Sequence, residues 1–157
     1  MADSPADKAR LLSRVFFPPQ PPVDISDIAS AAYPDPLPSS PVKLEEVHDY
    51  IATLSPYKAG GPSDTRNVVF KKCGETLAPM FQRLAQASFT LGHHPAAAKQ
   101  FVTCVLHKPG KDDYSKPGSW RPIALEEGEG KITEGIAARR LMAIAEECGL
   151  LPANQFG

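Results

Sequence analysis

Apolar residues recur at helical spacing in five stretches of the chain, and two further stretches read as extended. Over residues 8–17, Leu11, Leu12, Val15 and Phe16 gather on one side of a short helix. From Ser40 the signals sharpen. Ser40 is a good N-cap, Pro41 suits the first helical position, and Glu45 and Glu46 favour the positive end of a helix. Leu44, Val47, Ile51 and Leu54 then repeat on one face until Ser55-Pro56 ends the run. Asn67 is placed to cap a helix over residues 68–73, which Gly74 breaks. The next helix covers residues 77–91, with Pro79 tolerated in its first turn and Gly92 as its stop. Its apolar residues, Leu77, Met80, Phe81, Leu84, Ala87, Phe89 and Leu91, spread over more than one stripe and predict extensive burial. The last helix starts near Gly130. Ile132, Ile136, Ala137, Leu141, Ile144, Ala145 and Cys148 form its apolar stripe, Arg139, Arg140, Glu146 and Glu147 its polar face, and Gly149 its stop.

The extended stretches lie between these last two helices. Phe101-Val102-Thr103-Cys104-Val105-Leu106 is too short and too β-branched for a helix and reads as a buried strand. It runs into His107-Lys108-Pro109-Gly110-Lys111, a strong turn signal, and a second turn at Lys116-Pro117-Gly118 precedes Trp120-Arg121-Pro122-Ile123-Ala124-Leu125. Pro122 cannot donate to a ladder, so the second run belongs at a sheet edge. The result is an antiparallel hairpin with a long tip carrying Lys108, Lys111, Lys116 and, on the return strand, Arg121. Against these four cations stand two acids, Asp112 and Asp113, a balance that suits a polyphosphate or a nucleic-acid backbone. A solvated polar loop is the plainer reading of the same residues. The fold class expected is α+β, mostly helical, with this small hairpin.

Composition narrows the possibilities. The chain has 157 residues and a formal net charge of -1, which excludes a generally basic nucleic-acid binder and leaves only a local patch. Three widely spaced cysteines make no disulfide framework and point to a reducing, intracellular setting, nucleus or cytoplasm. The start, Met1-Ala2-Asp3-Ser4-Pro5, lacks the order of a signal peptide, and no apolar run reaches membrane-spanning length. Nine of the 17 prolines fall in the first 41 residues, so residues 1–41 are expected to be a short helix and an extended segment, with a second region over residues 42–157.

The segment from Phe101 to Glu134 resembles the fingers region of reverse transcriptases from non-long-terminal-repeat retrotransposons, particularly the fungal type. The matching pieces are Val105-Leu106-His107-Lys108-Pro109-Gly110-Lys111, the Tyr114–Arg121 spacer, Trp120-Arg121-Pro122-Ile123-Ala124-Leu125, Gly130-Lys131 and residues 137–141. The closing Leu150-Leu151-Pro152-Ala153-Asn154-Gln155-Phe156-Gly157 and the upstream Lys58-Ala59-Gly60-Gly61-Pro62 loop extend the match, which covers residues 8–157. The loop departs from the family in reading Gly61-Pro62-Ser63-Asp64, with the acid displaced by one position. Ala98 stands where the family usually has a tryptophan, as in a degenerate copy with a hole to fill.

The resemblance implies that Arg121 binds the triphosphate of an incoming nucleotide, with Lys108 and then Lys111 as further phosphate contacts. It implies template contact around Lys58, Gly61 and Pro62, and Lys131 is a candidate for the nucleic-acid backbone. The corresponding enzyme would be an RNA-directed DNA polymerase using Mg²⁺, deoxynucleoside triphosphates and an RNA/DNA template-primer. The family's catalytic carboxylates lie on palm strands that this chain lacks, so it is expected to bind no Mg²⁺ and to polymerise nothing by itself. Asp112-Asp113 is not the catalytic pair, because no apolar strands flank it. A metal set of His93, His94, Cys104 and His107 has no four-ligand spacing. Cys73 and Cys148 read as small core hydrophobes. The reading is a truncated reverse transcriptase whose uncovered apolar surface favours self-association. The alternative is a non-catalytic helical module, derived from such an element, that binds nucleic acid or protein.

Overall fold

Helix α3 (Leu44–Thr53) forms where the apolar spacing predicts it, with Val47 and Ile51 buried and Leu44 and Leu54 packed beside them. The structure, a computed structural model, describes residues 4–32 and 39–150. Contacts divide the chain into two compact units, residues 1–39 with 104–123, and residues 40–103 with 124–157.

The second unit holds the core. Helices α4 (Asn67–Lys72), α5 (Gly74–Leu91) and α6 (Gly128–Glu147) pack with α3 around Val42, Val47, Ile51, Phe70, Ala78, Phe81, Ala85, Ile132 and Ile136. Each large aliphatic side chain buried here contributes roughly 1.5–3 kcal/mol of transfer free energy, so this cluster dominates the unit's stability. Polar links fix how the helices meet. Gln82 Nε2 donates to the Val42 carbonyl at 2.8 Å, and Gln86 Oε1 accepts from the Val42 N–H at 2.7 Å. Lys71 donates to the Ala52 and Leu54 carbonyls at the C-terminal end of α3.

Several local expectations are corrected. The cap of α3 is Lys43, whose N–H donates to Glu46 Oε1 at 3.2 Å, while the carbonyls of Ser40 and Pro41 instead accept from Arg140. Arg140 therefore faces the packed side of α6, not solvent. Asn67 does not cap α4. It is buried, and its Nδ2 donates to the Ser55 carbonyl at 2.8 Å. Gly74 opens α5 instead of breaking the chain, which places Pro79 past the first turn and leaves the Glu75 carbonyl without its helical donor. Burial on α5 follows a single stripe, Gly74, Ala78, Phe81, Ala85 and Ser88, whereas Met80 and Leu91 are 62% and 74% exposed. Cys73 and Cys148 are exposed, because each lies at a helix end and not on a packed stripe. On α6 only the first half of the apolar stripe is buried, and Leu141 and Met142 face solvent.

The first unit contains α1 (Pro5–Phe16), α2 (Ser26–Ser30), and the tip of the hairpin formed by β1 (Phe101–His107) and β2 (Trp120–Glu126). Ser4 caps α1, its Oγ accepting from the Asp7 N–H at 3.1 Å. The proline cluster at 18–22 is free of helix and strand, as its backbone chemistry requires. The two strands form an antiparallel two-stranded sheet, so Pro122 costs no ladder partner beyond it. The expected burial of β1 is not found, since Phe101, Val102 and Leu106 are all about half exposed. A sheet of two strands, each an edge, has too few neighbours to cover both faces. No helix among the described residues is long and apolar enough to cross a membrane. The match over 151–157 lies outside the described residues.

Candidate nucleotide and nucleic-acid interface

The hairpin tip is a built loop. The Lys108 N–H donates to the Ser119 carbonyl at 2.9 Å, and Lys108 Nζ donates to the Gly118 carbonyl at 2.9 Å. Tyr114 donates its hydroxyl to the Lys108 carbonyl at 2.9 Å, and Trp120 Nε1 donates to the Tyr114 carbonyl at 3.0 Å. His107 packs against Tyr114 and Trp120 with ring centroids 4.5 and 4.1 Å away. Trp120 is thus a packing residue of the tip, and His107 is engaged with rings and not with Cys104.

Register follows from the same bonds. With Lys108 bonded to Ser119, antiparallel pairing sets His107 opposite Trp120 and Leu106 opposite Arg121. Side chains alternate, so Val105, His107 and Trp120 share one face, while Leu106 and Arg121 share the other. Lys108, two residues beyond Leu106, continues the Arg121 face. The first face, with Tyr114, closes an apolar cleft of about 720 Å³ against Lys8, Leu11 and Leu12 of α1. The second carries Arg121. The Arg121 and Lys111 side chains are exposed and make no hydrogen bond or ion pair among the described residues, whereas Lys116 pairs with Asp113 at 3.3 Å.

Asp113 cannot serve as half of a metal-binding pair without dismantling its turn. Its Oδ1 accepts from the Ser115 N–H and hydroxyl at 2.8 and 2.6 Å, and its Oδ2 faces Lys116. Those bonds, the Ser115 hydroxyl first, hold its carboxyl below the usual value. The residues of this tip do not fit a polymerase's pair of Mg²⁺ ions, and no metal-dependent step is assigned to them.

The glycine-proline loop belongs to the second unit and is anchored, not loose. Ser63 donates its N–H to Glu127 Oε1 and its hydroxyl to Glu127 Oε2, both at 2.7 Å. A Cβ on Gly61 would lie 2.5 Å from the backbone carbon of Glu126. Gly61 is therefore a packing position, buried against the start of α6, while Lys58 and Pro62 remain exposed. Asp64, the displaced acid, holds a positive φ of 53°, a conformation that aspartate tolerates better than most residues. Lys131 is half-buried in the first turn of α6.

Sequence reasoning missed the carboxylate pair Glu126 and Glu134, which meets His94 with ligand atoms all within 4.8 Å of one another. Burial, and then the facing Glu134 carboxylate, push Glu126 up to about 7, against the opposing pull of Lys131. These residues come from three separate segments, so no local motif announced them.

Comparison with known proteins decides the ancestry. No protein-family model matches the chain. It is 31% identical over 121 residues to the probable RNA-directed DNA polymerases from transposon BS and from transposon X-element of Drosophila melanogaster. The same identity and span hold for the RNA-directed DNA polymerase from mobile element jockey of that species. The chain is a distant homologue of non-LTR retrotransposon reverse transcriptases. The match takes in 77% of the chain but only 13% of each relative, so the homology concerns a limited region of a long polymerase.

Proposed function

We propose that this chain is a part of the fingers of a non-LTR reverse transcriptase, holding a nucleotide's phosphates and a nucleic-acid backbone without the catalytic carboxylates. The observation that carries this reading is the register of the hairpin, which sets Arg121 and Lys108 on one face. The Arg121 side chain has no partner among the described residues, and a guanidinium fork suits phosphate oxygens. Lys108 stiffens the tip through Gly118 and offers its remaining donors to phosphate, and Lys111 adds an exposed cation. The anchored loop presents Lys58 and Pro62 as template contacts, Gly61 supporting them from below, and Lys131 adds a backbone contact. In the whole polymerase, Mg²⁺ and its ligands would come from other segments.

The test is binding of an RNA/DNA template-primer and of a deoxynucleoside triphosphate by the 157-residue chain. Arg121→Ala and Lys108→Ala should each weaken nucleic-acid binding and lower the salt dependence by about one phosphate's worth. Unchanged affinity in both variants refutes the assignment, and Mg²⁺-dependent primer extension by this chain refutes its inactivity. A second reading, a helical module that binds protein or its own kind, draws on the exposed Leu141, Met142 and Leu150, 54–65% accessible near the end of α6.

A further inference from the structure

We propose that His94, Glu126 and Glu134 form a three-ligand site for a divalent transition-metal ion of the zinc class, separate from the cationic hairpin tip. The three come from the turn after α5, the end of β2 and the second turn of α6, and their ligand atoms all lie within 4.8 Å of one another. His94 supplies the independent sign of a ligand. Its Nε2 is buried and has no hydrogen-bond partner among the described residues. A buried imidazole nitrogen left unsatisfied costs free energy, and coordination of a cation is one way to recover it.

The surroundings are shaped for this. A Cβ on Gly130 would come within 2.6 Å of Glu126 Oε1, so glycine at that position makes room for the carboxylate. His94, Thr133 and Glu134 line an open cleft of about 360 Å³, and Thr133 Oγ1 is a second buried polar atom without a partner among the described residues. The cleft leaves room for water at a further coordination position, which a site with three protein ligands needs.

One imidazole nitrogen and two carboxylate oxygens favour Zn²⁺ over Mg²⁺, which takes an all-oxygen shell. Zinc ligands at about 2.0–2.1 Å set donor separations near 3.4 Å in a tetrahedron, so binding must draw the set inward. Glu134 is the exposed member and has the freedom to move. Bound metal would clip the turn that follows α5 to the end of β2 and to α6. It shares only His94 with the His93, His94, Cys104 and His107 set, with Glu126 and Glu134 in place of the other three.

The experiment is calorimetric titration of the chelator-stripped full chain with Zn²⁺, and in parallel with Mg²⁺, alongside thermal unfolding. One equivalent of Zn²⁺ should bind and raise the melting temperature, with Mg²⁺ at least tenfold weaker. His94→Ala and Glu134→Gln should each reduce Zn²⁺ affinity by tenfold or more, whereas His93→Ala should leave it unchanged. Glu134 is exposed, so its variant keeps the fold and reads the site alone. Absence of saturable binding overturns the proposal. So does binding that survives both His94→Ala and Glu134→Gln, or that is lost only when cysteines are replaced.

Discussion

Glu127 reaches across from the start of α6 to hold Ser63 by two hydrogen bonds of 2.7 Å, one to its backbone N–H and one to its hydroxyl. Glu127 is buried, 9% exposed, so the glycine-proline loop is tied to the helix through an acceptor shielded from water. Glu127→Ala strands the Ser63 N–H and should cost about 1–3 kcal/mol. Glu127→Gln keeps an acceptor for the N–H and should cost less. Chemical denaturation of the three proteins checks the order, and equal stability of all three would show that the bond contributes nothing.

Gly61 should be still less tolerant. Its missing Cβ would meet Glu126 and Glu127 backbone atoms at 2.5–2.6 Å, which cannot swing aside as a side chain would. Gly61→Ala is expected to destabilise by roughly 1–3 kcal/mol, the usual range for overpacking. Both substitutions pry the loop from α6, so the double variant Gly61→Ala, Glu127→Ala should lose less than the sum. Additive losses would mean that the loop and helix meet elsewhere.

The junction of α3 and α6 predicts a pH dependence. Arg140 donates to Glu46 at 2.8 Å through both Nε and Nη2, and also to the carbonyls of Ser40 and Pro41. The Arg140 bond is the main reason that the Glu46 carboxyl lies below its ordinary 4.5, with Lys43 adding to it and burial opposing. A depressed folded-state value means that this pair stabilises fully above the unfolded value and loses its contribution as pH falls through the folded one. The difference in stability between the native chain and Glu46→Gln should therefore shrink as pH drops below about 4.5. A difference that is constant from pH 6 to 3 would remove the pair from the acid response.

How much of this was legible depends on how local the cause is. Val47 and Ile51, one helical turn apart, declare their shared face, and the hairpin is declared by its turns and by Pro122. Burial along β1 was not legible, because it depends on what covers the sheet, and two strands cover little. Helix ends went astray at Ser40, Asn67 and Gly74, where each cap-like side chain or glycine has more than one use. Asn67 is used to bind Ser55, twelve residues earlier in the chain. The cationic residues of the tip could be read from sequence, but bringing Arg121 and Lys108 to one face required the Lys108–Ser119 bond. Glu126, Glu134 and His94 lay beyond reach altogether, since only packing brings them together.

The tip offers a way to separate rigidity from charge. Tyr114 contributes no charge to a phosphate site, yet its hydroxyl holds the Lys108 carbonyl at 2.9 Å and its carbonyl receives Trp120 Nε1. Tyr114→Phe removes one hydrogen bond on an exposed loop, worth about 0.5–1.5 kcal/mol, and keeps the ring packing. Amide exchange should quicken around Lys108, and nucleotide affinity should fall less than in Arg121→Ala, with the salt dependence unchanged. A salt dependence that drops as it does in Lys108→Ala would show that Tyr114 acts on the charge itself.

Ala98 tests whether the fold has adjusted to its small side chain. The resemblance to non-LTR reverse transcriptases implies a tryptophan at this position, and a simple truncation of it would leave a void. The structure shows instead a 1% exposed Ala98 in a short 3₁₀ turn, with its carbonyl 2.6 Å from where a Cβ of Gly130 would lie. The turn and the start of α6 meet at glycine distance, and with Ala98 itself buried an indole there must push its neighbours apart. Ala98→Trp should therefore destabilise the chain, by about 1–3 kcal/mol or more if α6 is forced outward. A void left by truncation predicts the opposite sign, because the tryptophan would refill it. Thermal unfolding of this one variant separates a repacked core from an eroded one.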